Sequence, residues 1–319
     1  MLHLRLIVPS DRTQATVDLI ESTVGTTHLV VVPAVARDPA GDVVMCDVAR
    51  EAGDELLREL RELKIDQDGS IAVEDIDLSL SKRADDAAKE APGEPADAVI
   101  WEQLTGATHE ESTLSITYSA FMILATMIAA CGVVLDNAIL IVGAMAVGPE
   151  FGPLAGICTA AVRRAPKLAA RSLIALLVGF AVAIVATTVF SLGMDALDLF
   201  SREQLDADRP NTSFIWQPDP FSFVVALLAG VAGMLSLTSS KSGALVGVAI
   251  SVTTVPAGAN AAVALSYGEI GQMWGSVEQL LLNLLGIILA GVLTLYAQKL
   301  LWRTQRGRWR RDAQATPKP

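Results

Sequence analysis

Two hydrophobic patterns divide the chain. Residues 1–81 carry short apolar periodicities of the strand and amphipathic-helix kind, and residues 112–302 carry long apolar runs. In the first part, LHLRLIV (2–8) reads as a strand and Ser10–Asp11 can cap a helix over roughly 12–24. THLVVVPAVAR (27–37) and DVVMCDVAR (42–50) flank the turn sequence DPAGD and predict a hairpin. EAGDELLRELRELKI (51–65) has a helical stripe of Leu56, Leu57, Leu60, Leu63 and Ile65, and SIAVEDIDLSLS (70–81) alternates as a last strand. The order βαββαβ predicts a small α+β ferredoxin-like or ACT-like domain over 1–81, on the cytoplasmic side. Such domains often bind small molecules or make oligomer contacts. His3 and His28 fall singly on its strands and read as half-exposed strand residues.

Residues 82–111 follow as an acidic linker, KRADDAAKEAPGEPADA, and a short amphipathic segment that includes Trp101. The apolar runs then predict six spans, near 113–135, 138–162, 172–194, 221–238, 243–265 and 278–301. Residues 303–319 form a basic tail, expected in the cytoplasm.

Within the second and fifth runs the pattern breaks. GAMAVGPEFGPLAG (143–156) places Pro149 and Pro153 where a helix needs backbone donors, with the carboxylate Glu150 between them. Gly148, Gly152 and Gly156 recur every four residues. In the fifth run Gly243, Gly247 and Ser251 repeat that spacing, and TTVPAGAN (253–260) follows with Pro256. Broken backbone at bilayer depth survives only where protein or a water-filled cavity covers it. Paired interruptions at matching places in two halves are the mark of a 3+3 inverted repeat, with a site at the midplane between the broken helices. The candidate substrate or ion site is therefore Gly148, Pro149, Glu150, Gly152 and Pro153 facing Thr253, Thr254, Pro256 and Asn260, with Lys241 as a possible charge partner for Glu150. Helix packing alone also accounts for small residues at four-residue spacing. Asn283 is a further polar group in an apolar run, and Asp136–Asn137 read as a tight turn.

Charge adds an orientation. Of 24 Lys/Arg and 35 Asp/Glu, residues 1–111 hold 10 and 24, net −14, against 14 and 11, net +3, in residues 112–319. Arg163, Arg164, Lys167, Arg171, Lys241 and the arginines after residue 302 all fall on one side of a six-span arrangement, and the opposite loops are acidic. The positive-inside rule then puts both termini in the cytoplasm of a multi-pass protein of the cell (inner or plasma) membrane. The acidic leader argues against nucleic acid as a partner. The expected partners are the lipid bilayer, a small ion or polar solute, a small-molecule ligand on the N-terminal domain, and further copies of the chain in a homo-oligomer. Cys46, Cys131 and Cys158 have no metal or redox spacing, and no metal or cofactor is expected. The first residues do not read as a signal peptide.

IVGAMAVGPEFGPLAGI (141–157) and GALVGVAISVTTVPAGANAAVAL (243–265) together resemble the paired motifs of the membrane-protein family labelled domain of unknown function 389. In that pattern the position of Glu150 is often apolar, and a double proline often stands where this chain has Val255–Pro256. The resemblance implies the membrane architecture over about 112–300; the family carries no established activity. A transporter or channel is the leading expectation. A non-transporting membrane sensor or assembly protein is the alternative, and an enzyme is not expected because no nucleophile-and-base or metalloprotease motif occurs.

Overall fold

A computed structural model describes residues 1–91, 93, 98–239 and 253–315, with side chains up to Trp302. It separates into two compact units, Met1–Glu102 with Lys299–Pro319, and Gln103–Gln298.

The first unit begins β1 (Leu2–Val8), α1 (Thr13–Ser22), β2 (Thr26–Arg37), β3 (Ala40–Val48), α2 (Arg50–Glu62), α3 (Ile65–Asp68) and β4 (Ser70–Asp75). The strands form one antiparallel sheet in the order β2-β3-β1-β4. Alternation builds its core: Leu2, Leu4, Leu6 and Val8 point one way from β1, meet Val44, Cys46 and Val48 of β3, and are covered by Leu56, Leu57 and Leu60 of α2. Each such side chain contributes about 1.5–3 kcal/mol on burial.

The opposite face carries a polar chain not read from the sequence. Asp47 bonds His3 Nδ1 through one oxygen and His28 Nδ1 through the other, both at 2.7 Å, and His28 Nε2 lies 2.9 Å from Ser81 Oγ. Ser81 in turn accepts from the Ala84 N–H and caps α4 (Lys82–Glu90). Residues 82–90, expected as connector, are thus helical, and Ala84 and Ala87 are buried. The charged composition hides two alanines three apart, enough for one buried edge.

Asp42, at the start of β3, accepts from Thr13 Oγ1 (2.6 Å), the Ala34 N–H (2.8 Å) and Ser10 Oγ (3.3 Å). The Thr13 hydroxyl and then the Ala34 amide hold its carboxyl below the usual carboxylate range, with burial acting the other way. A depressed folded value means stability that is present above the unfolded value, about 3.9, and lost as pH falls through the folded one. Hydrogen exchange at β2 and β3 amides should therefore lose protection below about pH 4, and Asp42→Asn should flatten that dependence.

The second unit takes in most of α5 (Trp101–Glu111), and its described elements are all helices. Its elements are α6 (Ile116–Val134), α7 (Ala138–Val147), α8 (Phe151–Arg163), α9 (Pro166–Ala196), α10 (Arg202–Asp206), a 3-10 turn (Ser213–Ile215), α11 (Pro220–Thr238), α12 (Thr254–Ser266) and α13 (Ile270–Ala315), which continues past the unit boundary. By length and composition α6, α9, α11 and Ile270–Trp302 of α13 can each cross a membrane, and α7 with α8, bent by 53°, adds a fifth if the pair is one span. The described residues thus carry four or five of the six spans expected. The first half of the expected fifth span, with Lys241, Gly243, Gly247 and Ser251, lies outside the described residues, and α12 alone is 13 residues. At 1.5 Å per residue it is too short to cross.

Close backbone approach assembles these helices. A Cβ on Gly230 of α11 would sit 2.6 Å from the Ile287 carbonyl oxygen of α13, and one on Gly156 of α8 would sit 2.3 Å from Ser172 Oγ of α9. Thr126 of α6 and Thr187 of α9 share a buried hydroxyl bond of 2.8 Å.

Candidate functional site: a helix break against the start of a helix

Two prolines do different work in the break between α7 and α8. Pro149 has no N–H, so the Met145 carbonyl loses its helical partner and α7 ends at Gly148. Pro153 is the third residue of α8, where the N–H would have no intrahelical acceptor in any case, so it is compatible with the helix start. Between them Glu150 occupies the N-cap position of α8 without capping it.

The carboxylate turns instead to α12. Thr254 Oγ1 donates to Glu150 Oε1 at 2.8 Å, and both residues are buried. Glu150 Oε2 has no hydrogen-bond partner among the described residues. Thr254 is the first residue of α12, so the acid faces the positive end of that helix. Gly148 makes the junction sterically possible: a Cβ there would stand 2.3 Å from Glu150 Oε2 and 2.7 Å from Val255 Cγ2.

The start of α12 matches the start of α8 in register. Pro256 is the third residue of α12, as Pro153 is of α8, and each helix has 13 residues. Residues 254–264 of α12 are buried without exception, and the helix packs among α6, α7 and α9.

Toward α13 the contacts are polar. Thr253 Oγ1 accepts from Asn283 Nδ2 at 2.7 Å and from Gln279 Nε2 at 3.4 Å. Asn260 Nδ2 donates to Ser276 Oγ at 2.7 Å. Arg209 closes this seam, donating to Asn260 Oδ1 (3.1 Å) and Gln272 Oε1 (2.7 Å). Gln272, Ser276, Gln279 and Asn283 are spaced four, three and four apart, which puts them on one face of α13. Burial pulls the Arg209 guanidinium below its usual range, and Asp136 and Asp206 act against that. Asp136 also accepts from Thr212 Oγ1 (2.8 Å) and Asn211 Nδ2 (2.9 Å), so the expected turn residue also holds the loop that carries Arg209.

A cavity of about 230 Å³ leads to the seam. Asp219, Ser222, Phe214 and Phe221 line one part of it, and Thr253 and Asn283 another. Asp219 caps α11 by accepting from both Ser222 N and Ser222 Oγ at 2.7 Å, and these bonds, the hydroxyl first, keep its carboxyl below the ordinary range.

Of the residues expected at the site, Gly148, Glu150 and Thr254 converge, with Pro149 shaping the break after α7 and Pro256 in the first turn of α12. Thr253 and Asn260 lie on the seam to α13 rather than against Glu150. Gly152 packs elsewhere: a Cβ there would meet Glu111 Cβ at 2.6 Å. Pro153 is buried at the start of α8. Lys241 lies outside the described residues. Arg209 and the Gln272–Gln279 part of the stripe were not singled out by sequence. The stripe was readable from its four-three-four spacing; the burial of Arg209 depends on tertiary packing and left no local signal. Among the described residues no three His, Cys, Asp or Glu side chains gather to hold a metal.

Several apolar helices of membrane-crossing length mark a membrane-embedded protein. Residues 145–289 match the family described as domain of unknown function 389, in agreement with the two motifs. A protein of Methanocaldococcus jannaschii, described as uncharacterized, is 26% identical over 208 residues, covering 64% of this chain and 61% of its own length. The chain thus spans about 61% of that relative. No solved structure matches the chain.

Proposed function

We propose that the protein is a transporter or channel for a small ion or polar solute, with its site where the α7–α8 break meets the start of α12. The observation that carries this reading is the buried Glu150–Thr254 contact between the α7–α8 break and the start of α12, where Pro153 and Pro256 stand in the same register of their helices. A charged group at bilayer depth is costly, and it usually marks an ion or substrate path. The cavity supports the reading, because Asp219, Ser222 and Asn283 line it together with Thr253, one residue from Thr254.

In this account α12 belongs to the second half's interrupted span. The helices then make six spans in a 3+3 inverted repeat: α6, α7–α8 and α9 against α11, the α12 span and α13. The N-terminal unit is ferredoxin-like by its βαββαβ order and its 2-3-1-4 sheet, and it regulates the membrane part or joins copies in a homo-oligomer.

Flux into proteoliposomes, screened with small cations, anions and neutral polar solutes, tests the function. Uptake of one class above protein-free vesicles is expected, and no movement of any class would remove its basis. Orientation is tested separately. In a chain without its native cysteines, Asp208→Cys is expected to label only from the non-cytoplasmic side; labelling only from the cytoplasm would reverse the topology.

A further inference from the structure

At the end of the second unit that carries the basic loop, a second cavity has a composition unlike the first. Its volume is about 770 Å³, and it is lined by His109, Thr113, Leu114, Lys167, Leu168 and Arg171, with Ala165 and Ile174. The polar side chains belong to three segments: His109 to the end of α5, Thr113 to the link before α6, and Lys167 with Arg171 to successive turns of α9. The spacing of Lys167 and Arg171 puts both cations on one face. Arg171 donates to Thr113 Oγ1 and so is held toward the cavity. The lining contains no carboxylate, and neither Lys167 nor Arg171 is in an ion pair among the described residues. Glu110 and Glu111 follow His109 in the chain but do not line the cavity.

The remaining wall is apolar and faces outward. Leu114 is 42% exposed and Ile174 54%, and they continue onto the bare apolar surface of Ile116 and Leu173. Basic groups here meet a lipid-facing surface at the start of two spanning helices. Ala165 gives α9 no side-chain cap, and Pro166 has no N–H, so the Lys167 and Leu168 amides are the first-turn donors without a cap.

We infer that this cavity binds the headgroup of an anionic phospholipid, its phosphate against Lys167, Arg171 and His109 and its acyl chain along Leu114 and Ile174. Charge selects the ligand: two permanent cations with no carboxylate in the lining favour a phosphate that carries a net negative lipid over a zwitterion. Arginine presents a planar fork to phosphate oxygens, and lysine adds a point charge. The apolar wall selects a lipid over free phosphate, because free phosphate gains nothing from Leu114 and Ile174. The site is independent of whether the protein transports anything.

The test uses the full chain in detergent, titrated with phosphatidylglycerol, phosphatidylcholine or inorganic phosphate, with bound lipid counted by native mass spectrometry and unfolding followed by thermal shift. The wild type is expected to prefer phosphatidylglycerol over phosphatidylcholine. Lys167→Gln with Arg171→Gln is expected to reduce that preference by roughly 5- to 30-fold, as two basic residues at a membrane surface allow. Because Arg171 also holds Thr113, Lys167→Gln with His109→Gln provides a second variant that leaves this contact intact and should reduce the preference in the same direction. Arg202→Gln, in α10 beyond the other end of α9, should leave the lipid preference unchanged. Equal binding of the two lipids by the wild type would overturn the inference, as would an unchanged preference in both double variants. Inorganic phosphate that stabilises the protein as well as phosphatidylglycerol does would overturn the lipid assignment.

Discussion

Gly148→Ala is expected to lower stability by about 1–3 kcal/mol and to displace the Glu150 carboxylate, abolishing any flux that depends on it. The effect is one of contact alone. Gly148 has φ −66° and ψ 129°, a conformation that alanine adopts freely, so backbone strain contributes nothing. The added Cβ would lie 2.3 Å from Glu150 Oε2 and 2.7 Å from Val255 Cγ2. The carboxylate end could swing away, but only by leaving Thr254. Val255 cannot easily yield, because it is β-branched and fully buried at the start of α12. Gly143, five residues earlier on α7, is the control: a Cβ there meets nothing within 4 Å. Gly143→Ala should be neutral or stabilising by up to about 1 kcal/mol, because it removes a helix-interior glycine. Thermal unfolding of the two variants side by side checks the pair; equal behaviour would mean that the junction is not packed as described.

Thr254→Val should cost about 1–3 kcal/mol despite its matched shape. The hydroxyl is the partner of Glu150 Oε1, and Oε2 already has none among the described residues. Removing the donor leaves a buried acid without a hydrogen bond there, and a buried group stripped of its partner costs its full desolvation. Thr254→Ser restores the donor and should recover most of the loss. Combined with Glu150→Leu, the same Thr254→Val should cost little more, since no acid then remains to be left unpaired. A double-mutant cycle on unfolding free energy measures that coupling; additive effects would mean that the α7–α8 break and the start of α12 do not interact.

Both variants probe a junction whose parts were unequally legible in the sequence. Pro149, Pro153 and Pro256 could be read as interruptions, because proline acts through its own missing donor and fixed φ. Their division of labour could not, since it depends on where α8 and α12 begin. Gly148, Gly152 and Gly156 have the spacing of one helical face, yet the 53° bend separates the first from the other two, and Gly152 and Gly156 meet Glu111, Ser112 and Ser172 instead. A period measures a face only while the helix continues. β1, β2 and β3 were legible to within two residues, with alternation recording the buried face of β1 and β3, but the last strand, expected over 70–81, ends at Asp75 although the alternation continues. Lys82–Glu90 was not, because two alanines in a charged segment give little hydrophobic signal. The shared carboxylate of His3 and His28 joins residues 44 and 19 positions away in sequence, a relation that sheet register creates.

The same limit explains the seam. Asn283 stood out alone in an apolar run, and its role became definite only with Thr253 opposite it at 2.7 Å. Arg209 belongs to a loop whose composition is acidic and exposed in character, but the loop's bonds to Asp136 turn it inward. Polar side chains that span the space between α12 and α13 are the feature that a hydropathy profile suppresses, since each is outnumbered by apolar neighbours.

The central claim is that Glu150, where the α7–α8 break meets the start of α12, carries the ion or solute path. Its most direct test is flux into proteoliposomes by the wild type and by Glu150→Gln, which keeps the size of the side chain and an acceptor for Thr254 but removes the charge. The account predicts measurable flux in the wild type, a fall of at least about tenfold in Glu150→Gln, a barrier change of roughly 1.4 kcal/mol or more, and a closely similar unfolding temperature for the two proteins. A wild type that moves nothing, or a Glu150→Gln protein that moves the same solute at the same rate, would contradict it.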